Sequence, residues 1–565
     1  MKSRTSFFNA TVFRKDITRF YPAWLLYTIL VMISLSSLPS ASASEYRAFP
    51  VITHIFPFVM MNLIYAPIVV SLLFGDIFKR RLCNGIHALP LRRETLFCTH
   101  FVSGLLFSLV PNCLYFLFAL INLGSYWYIA LYWLLTVTMS YLCFFGIAVF
   151  SANCTGNRFA MFCVYAGIVF LPMILLYIYN SLFQPLLYGI AVDASGFTKF
   201  SPVYLAVIAF ADVWAVDSLQ GAAATYSPSW LWYIGFLVEG LVLGGAGLVL
   251  YRKRQSETAG DFLSHKIFQP LVLVLCPICM ALVLLDFFGV DGLTLRLVLL
   301  LPALLLGVIL TQMLLRRSTR VFIKSTWVTY ALLAGGLGIA LLLTALDPIG
   351  ITRWVPEAKK VESVTVSENG NIESEYCEFI RCTEAEDIQN ILSLHKGILA
   401  EKDAIQDALS ASDPYYDVLG RYPDAVQICL DYTLKDGSKA HREYWLPVDS
   451  PMGQAYGKIL SSPEYVLSTL DYRDWDSFCR SIFKISVHGY IVSEADMPAL
   501  LKMLKADFDA GCMNQSGRYH GEPYPEADLY IYSDSDRDLS LSLWAGESQT
   551  YQWLVEHGYF TPDAE

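Results

Sequence analysis

Between Thr95 and Asn157 the chain holds no Asp, Glu, Lys or Arg for 63 residues, and Ile52 to Gly75 is uncharged as well. Runs of this kind cannot form the outward faces of a soluble domain. A membrane crossing takes about 20 apolar residues, so the longer run has room for two. With 55% hydrophobic and only 16% charged residues, the composition excludes a single soluble enzyme. A second absence is chemical, because there is no G-x-x-x-x-G-K-[ST] phosphate loop. The nearest approach, Gly453, Gly457 and Lys458, has three residues between the glycines and ends in Ile459. The chain is therefore not expected to hydrolyse a nucleotide by that route. The first apolar stretch continues from Tyr21 past Leu38 without a clear small-residue cleavage site, Ala41-Ser42-Ala43 being a weak exception, so the first span is expected to be retained. Basic residues form no single surface, which argues against nucleic acid as a partner. No Ser/His/Asp or paired-carboxylate set falls on one site, and no catalytic group, metal or cofactor is expected.

The charge that is present is divided unevenly. Residues 1–349 carry 22 Lys plus Arg against 13 Asp plus Glu, whereas 350–565 carry 18 against 37, so a basic part precedes an acidic tail. Spans are expected near 21–39, 52–75, 97–121, 126–150, 159–181, 229–251, 267–285, 297–315 and 325–346. The segments 1–20, 76–96, 151–158, 252–267 and 316–325 collect 19 Lys and Arg, and the intervening loops before residue 350 collect three, Arg47, Lys199 and Arg296. That bias predicts a multi-pass protein of the plasma membrane with a cytoplasmic N-terminus and, after nine crossings, an extracellular tail. Phe8, Val12, Phe13, Ile17 and Phe20 recur at helical spacing, the pattern of an amphipathic helix on the cytoplasmic face or of a plain basic flank. SPVYLAVIAFADVWAV at 201–216 is apolar but short and charged at Asp212, and reads as a re-entrant, interfacial or surface helix on the outer side.

The stretch from Asp76 to Leu96 is a charged island between spans two and three. It carries Lys79, Arg80, Arg81, Arg92 and Arg93 with Asp76 and Glu94, and Pro90 in Leu-Pro-Leu-Arg-Arg bends it into a compact projection. Glu239 stands in mid-span in GFLVEGLVLGGAGLVL, where a carboxylate is expensive. With Gly235, Gly240 and Gly244 beside it, it marks a translocation path or a close helix interface, or else a residue nearer the outer boundary that is protonated or snorkels. Cys276-Pro-Ile-Cys279 lies in an apolar span and reads as packing, not as a redox or metal motif. His54 and His100 sit at span edges and read as interfacial packing.

After Gly350 the pattern becomes that of a soluble α+β domain. VESVTVS at 361–367 alternates as a strand, Thr383 to Glu386 opens a helix with a capping box, and Ile388, Ile391, Leu392, Ile398 and Leu399 supply its apolar face. AVQICLDYTL and AHREYWLPV make a hairpin around Lys435-Asp436-Gly437. FKISVHGYIV, a second capped helix from Ser493 to Asp496 and the strands LYIYS and LSLSLWA follow, and a last helix is expected near 549–558. Two strand-to-capped-helix units about 110 residues apart suggest an internal duplication. Cys377 and Cys382 flank a short strand, where a disulfide or two separate thiols are both open. Asp534, Asp536 and Asp538 resemble the start of a calcium loop, but Leu539 and Ala545 replace the glycine and glutamate, so an acidic turn is the better reading.

With these features in place, residues 1–255 resemble the membrane subunit of an ATP-binding cassette (ABC) transporter of the type-2 exporter permease class. Loops after span two in that family run from an acidic residue through a glycine to a Pro-x-x-Arg turn, matched here by Asp76, Gly85, Pro90 and Arg93. Asp76 stands where Glu is usual, and His100 where a Lys often begins span three. Three additional helices at 256–349 and the acidic domain at 350–565 resemble permeases of Gram-positive, Clostridia-like bacteria. The resemblance implies a polytopic α-helical membrane protein, a six-span exporter core plus about three spans, that pairs with a second permease subunit in the lipid bilayer. It also implies a separate ABC ATPase subunit docked through Asp76, Lys79, Arg80, Arg81, Gly85, Pro90 and Arg93. The alternative reading is a membrane-anchored sensor or interaction protein whose outer domain binds a ligand, and a third is a membrane enzyme acting on lipid-linked substrates.

Overall fold

The computed structural model describes residues 7–35, 49–87, 91–123, 127–190, 194–218, 228–290, 292–368, 379–383, 385–411, 425–447, 450–460, 475–487, 490–493, 495–510, 527–533, 539–543 and 548–560. They divide into two units, one of residues 1–185 and 193–343, the other of 186–192 and 344–565.

Helices α1 (Ala10–Arg19) and α2 (Tyr21–Leu35) open the first unit. Asn9 caps α1 by accepting from the amides of Thr11 and Val12, and the chain then turns by 64° into α2, where Pro22 has no N–H to extend the earlier helix. There follow α3 (Ile55–Leu73), α4 (Arg80–His87), α5 (Arg93–Leu123), α6 (Trp127–Cys154), α7 (Arg158–Val169), α8 (Leu171–Ile178), α9 (Tyr204–Ser218), α10 (Trp230–Lys253), α11 (Gln269–Phe287), α12 (Leu293–Arg316) and α13 (Lys324–Leu346). Among the described residues seven helices are long and apolar enough to cross a membrane, or up to nine if each of two bent pairs is one span. The fifth expected span, 159–181, is not straight. It breaks by 69° between α7 and α8, where Pro172 in the first turn of α8 removes the donor that a continuous helix needs. The segment expected at 201–216 is α9, whose Leu205 and Ala209 are fully buried.

The core of this unit is aromatic. Tyr115 stacks on Trp133 at 3.9 Å and Phe58 meets the same indole edge-on at 5.3 Å. Beside it runs a buried polar network, in which Tyr27 Oη lies 3.1 Å from both Asn62 Oδ1 and Asn112 Oδ1 and Asn62 Nδ2 donates to Val137 O and Ser140 Oγ. These bonds tie α2, α3, α5 and α6 together, since a polar side chain in an apolar bundle is stable only when paired. On α13, by contrast, Thr326 alone is buried. Its apolar residues Leu332, Ile339, Leu342 and Leu346 are more than half exposed.

The second unit contains two four-stranded antiparallel sheets. Strands β1 (Val361–Glu368) and β2 (Phe379–Cys382), helices α14 (Ala385–Ala400) and α15 (Lys402–Ala411), strands β3 (Ala425–Leu434) and β4 (Lys439–Pro447) and helix α16 (Pro451–Leu460) form the first. After α17 (Trp475–Ser481), strands β5 (Ile482–Val487) and β6 (Tyr490–Ile491), helix α18 (Met497–Asp509), strands β7 (Ala527–Ser533) and β8 (Leu539–Leu543) and helix α19 (Gln549–Glu556) repeat the order. The sheets run β2-β1-β3-β4 and β6-β5-β7-β8, the same topology twice. The hairpin turn places Gly437 at φ 82°, a conformation that glycine adopts without strain. At the second expected capping box only half of the pair forms: Asp496 N donates to Ser493 Oγ at 3.2 Å, while Ser493 N donates to Tyr559 Oη and α18 begins after Asp496. Cys377, Pro90, Asp534, Asp536 and Asp538 and the side chain of Glu386 lie outside the described residues, so the disulfide, the calcium-like turn and the first capping box do too. Gly453 and Lys458 fall inside α16, a helix and not a phosphate loop.

His395 on α14 is fully buried between Tyr432 and Tyr444, with its ring nitrogens 2.9 and 2.8 Å from their hydroxyls. Burial, helped by nearby Arg442, pulls the imidazole from its ordinary 6.5 down to about 4. Within that interval the unfolded chain binds a proton that the folded chain excludes, so stability is full above the unfolded value and falls as the pH drops. The loss is expected to reach about 3 kcal/mol. Urea midpoints of the full chain in detergent should fall across this window, and His395→Gln, which does not titrate, should flatten that fall.

Candidate functional site

The island after α3 folds as a 3-10 turn, Gly75–Phe78, followed by the amphipathic α4. Cys83 faces inward and is buried, while Lys79, Arg80, Arg81, Leu82, Asn84 and Gly85 are exposed. Cys83 and Ile86, three residues apart, give α4 this inward edge, with Leu82 exposed beside them. Asp76 sits in the 3-10 turn, half-buried, in a small crevice it shares with Cys83, Ile86, His100 and Tyr251.

Two of the basic residues brace the loop and do not face outward alone. Arg80 Nε donates to Ala259 O at 3.0 Å, and its guanidinium lies 3.9 Å from Asp261. Arg93 donates to the carbonyls of Arg252 and Arg254 at 3.0 and 2.7 Å, capping the C-terminal end of α10, where carbonyls lack intrahelical donors. Glu94 adds an ion pair with Arg252 at 3.2 Å. Arg254, which the charge bias of 252–267 only counts, is the buried centre of this knot. Its guanidinium donates to Ala152 O at 3.0 Å and to Ile77 O at 3.1 Å. Burial lowers it from 12.5 to about 10, so it stays charged at neutral pH.

The segment after α10 closes over the end of α6. Gly260 N donates to Gly156 O at 2.7 Å, Ser264 N to Cys154 O at 2.8 Å, and Arg317 to Gly260 O. A Cβ on Gly156 would lie 2.3 Å from Thr258 O, so this contact exists only with glycine there. On the other flank α1 is pinned to α5, with Asp16 Oδ2 accepting from Ser103 Oγ at 3.0 Å and lying 2.8 Å from His100 Nδ1. His100 is therefore partnered rather than merely interfacial, and Asp16 was not foreseen because it stands alone in a basic helix. His54 contacts Tyr115 Oη at 2.7 Å. Four of the segments that charge bias grouped together, 76–96, 151–158, 252–267 and 316–325, are joined by these bonds, while 1–20 is held to α5 at His100 and Ser103.

Glu239 is half-buried on α10. Its neighbour Gly240 is packed into α6, where an added Cβ would lie 2.5 Å from Cys143 Cα, and Gly244 follows one turn on against Phe101 and Gly146. Gly235 meets nothing within 4 Å and is no part of this contact, because it lies on the outward side of the helix. Among the described residues, one group of side chains has metal-ligand geometry, Cys429, His441 and Glu443 on the β3–β4 hairpin. No family model, curated protein or solved structure matches the chain.

Proposed function

We propose that the chain is the membrane-spanning permease subunit of an ATP-driven exporter, working with a second permease subunit and a separate ATPase that docks on α4. The observation that carries this reading is α4 itself, a short helix with an exposed basic face hung between two long apolar helices. Its base is bonded to the segment after α10, which is bonded in turn to the start of α5 and the end of α6, so a push on α4 is passed to several helices at once. Lys79, Arg81 and Asn84 supply the exposed face for the ATPase, while Arg80, Arg93 and Arg254 hold the lever to the bundle. Glu239 and the glycines at 240 and 244 serve the α6–α10 contact on which such a movement turns. The basic bias of these segments supports a cytoplasmic side for them in a plasma-membrane protein.

The test is affinity purification of the tagged chain from its native membrane, beside a Lys79→Glu, Arg81→Glu variant that leaves the bracing residues intact. An ATPase is expected with the wild type and reduced at least about tenfold in the variant, since reversing charges at a docking surface opposes association. An ATPase retained equally by both would remove α4 as the docking site. Its absence from both under mild detergent would favour a membrane-anchored ligand-binding protein.

A further inference from the structure

The β3–β4 hairpin has one face in the helix-covered core, from Val426, Ile428, Leu430 and Tyr432 on β3 and Tyr444 and Leu446 on β4. The alternate residues lie on the opposite face. There the ladder sets Cys429 opposite Glu443 and Asp431 opposite His441, so the two-residue period of both strands gathers four metal-binding side chains into one square. Cys429 Sγ, a ring nitrogen of His441 and a carboxylate oxygen of Glu443 lie within 4.8 Å of one another.

Two of these groups, His441 and Glu443, are oriented by a neighbour. His441 Nδ1 is 2.8 Å from Asp431 Oδ1, which holds the ring with Nε2 toward Glu443. Nε2 lies 4.0 Å from Glu443 Oε2. The other Glu443 oxygen, Oε1, accepts from Gln427 Nε2, which leaves Oε2 for a cation. Asp431 Oδ2 is buried and has no hydrogen-bond partner, an excess of negative charge that a cation beyond the imidazole would offset. Carboxylate–imidazole–metal relays have this construction. Cys429 is fully buried while the side chains of His441 and Glu443 are 35% and 22% exposed, so the site is open to solvent on one side.

The duplicated module supplies an internal comparison. The row Val366, Leu430, Arg442 in the first sheet corresponds by register to Val487, Leu529, Leu541 in the second. The positions of Cys429, Asp431, His441 and Glu443 are therefore held in the second copy by Asp528, Tyr530, Ser540 and Ser542. The same topology forms without the four ligating groups, so the fold itself does not require them.

We propose that this face binds one zinc ion through Cys429 Sγ, His441 Nε2 and Glu443 Oε2, with Asp431 and Gln427 as positioning residues and a fourth position open to water or a ligand. A thiolate with an imidazole and a carboxylate suits zinc over calcium or magnesium, which take oxygen donors. Bonds of about 2.0–2.3 Å put tetrahedral ligand atoms about 3.5 Å apart, so the three groups close by roughly 1 Å on binding. Binding exchanges the thiol proton of Cys429 for the metal and releases that proton to solvent.

The experiment uses the full-length protein in detergent, stripped with a chelator and then titrated with Zn(II) or Co(II). One zinc per chain should survive dialysis, and the cobalt form should show a thiolate-to-cobalt absorption band that Cys429→Ser abolishes. His441→Gln should weaken zinc binding by at least about 100-fold and Asp431→Asn, which keeps all three ligands, by about 10–100-fold. Glu443→Gln is nearly isosteric and supplies a second route should Cys429→Ser misfold. Metal-free variants melting with the metal-free wild type would show that the loss is one of ligation. Failure of the wild type to retain zinc would overturn the proposal. So would an unchanged affinity in the His441→Gln, Glu443→Gln double variant, or a His441 that takes up a proton but shows no zinc-dependent shift in its NMR signals.

Discussion

Gly146→Ala is expected to lower the stability of the helical unit by about 5 kcal/mol, an effect of the size reserved for backbone collisions in a packed core. A Cβ at this position would lie 1.9 Å from Gly240 O and 2.8 Å from Gly240 Cα, and both are backbone atoms that no rotamer change can move. The opposite face is also closed, since a Cβ on Gly240 would lie 2.5 Å from Cys143 Cα and 2.7 Å from Leu142 O. α6 and α10 would have to part by more than about 1 Å, and a gap of that size forfeits a quarter to a half of each dispersion contact along the seam. Gly235→Ala and Gly245→Ala on the same α10 meet nothing within 4 Å and serve as controls, expected to change stability by no more than about 0.5 kcal/mol. Thermal melts of the three variants in one detergent decide the matter. Equal melting of Gly146→Ala and the controls would mean that α6 and α10 do not meet at Gly146 and Gly240.

Asp507→Ala is expected to cost the second unit about 4 kcal/mol. The Asp507 side chain is buried at the end of α18, where Oδ2 accepts from Ser548 Oγ at 2.7 Å and from Thr550 N at 2.8 Å, and Oδ1 accepts from Gln549 N at 2.8 Å. It thereby caps α19 from another helix, joining two elements through the amides that a helix start leaves unpaired. Truncation strands those amides and the buried hydroxyl together, and charge-assisted bonds are the costliest to lose. Urea unfolding of the full chain, followed by proteolysis of the released α19, should show a lower midpoint for Asp507→Ala and a smaller drop for Asp507→Asn, which keeps one acceptor oxygen. Identical midpoints for wild type and Asp507→Ala would show that α19 is held by its apolar side, Tyr551, Trp553 and Leu554, alone.

The helical unit was largely legible because its signal is composition over long windows. Uncharged runs such as 95–157 leave no alternative to long buried or lipid-facing helices. The bend at Phe170 was missed because hydropathy averages over Pro172, although the proline itself was there to be read. The knot around Arg254 was only half legible, since a count of basic residues assigns a side but cannot distinguish an arginine that faces solvent from one that caps a carbonyl. Arg93 illustrates the same limit, as the sequence reading pointed it at a partner and the fold turns it toward the end of α10. In the second unit, the doubled order of strands and caps was visible, yet the matching sheet orders rest on pairings between residues far apart in the chain.

The sequence by itself determined which segments are apolar enough to leave water, which segments carry the positive charge, and where strand and helix periods alternate after Gly350. Each is a local property, set by side-chain hydrophobicity and backbone preference within a few turns. Only the tertiary structure decided that Gly146 meets Gly240, that Asp507 caps a helix 42 residues away, and that Cys429, Asp431, His441 and Glu443 share one face of a hairpin. Those are consequences of register and close packing, where a shift of one residue turns every side chain to the other face, and no local preference encodes that choice.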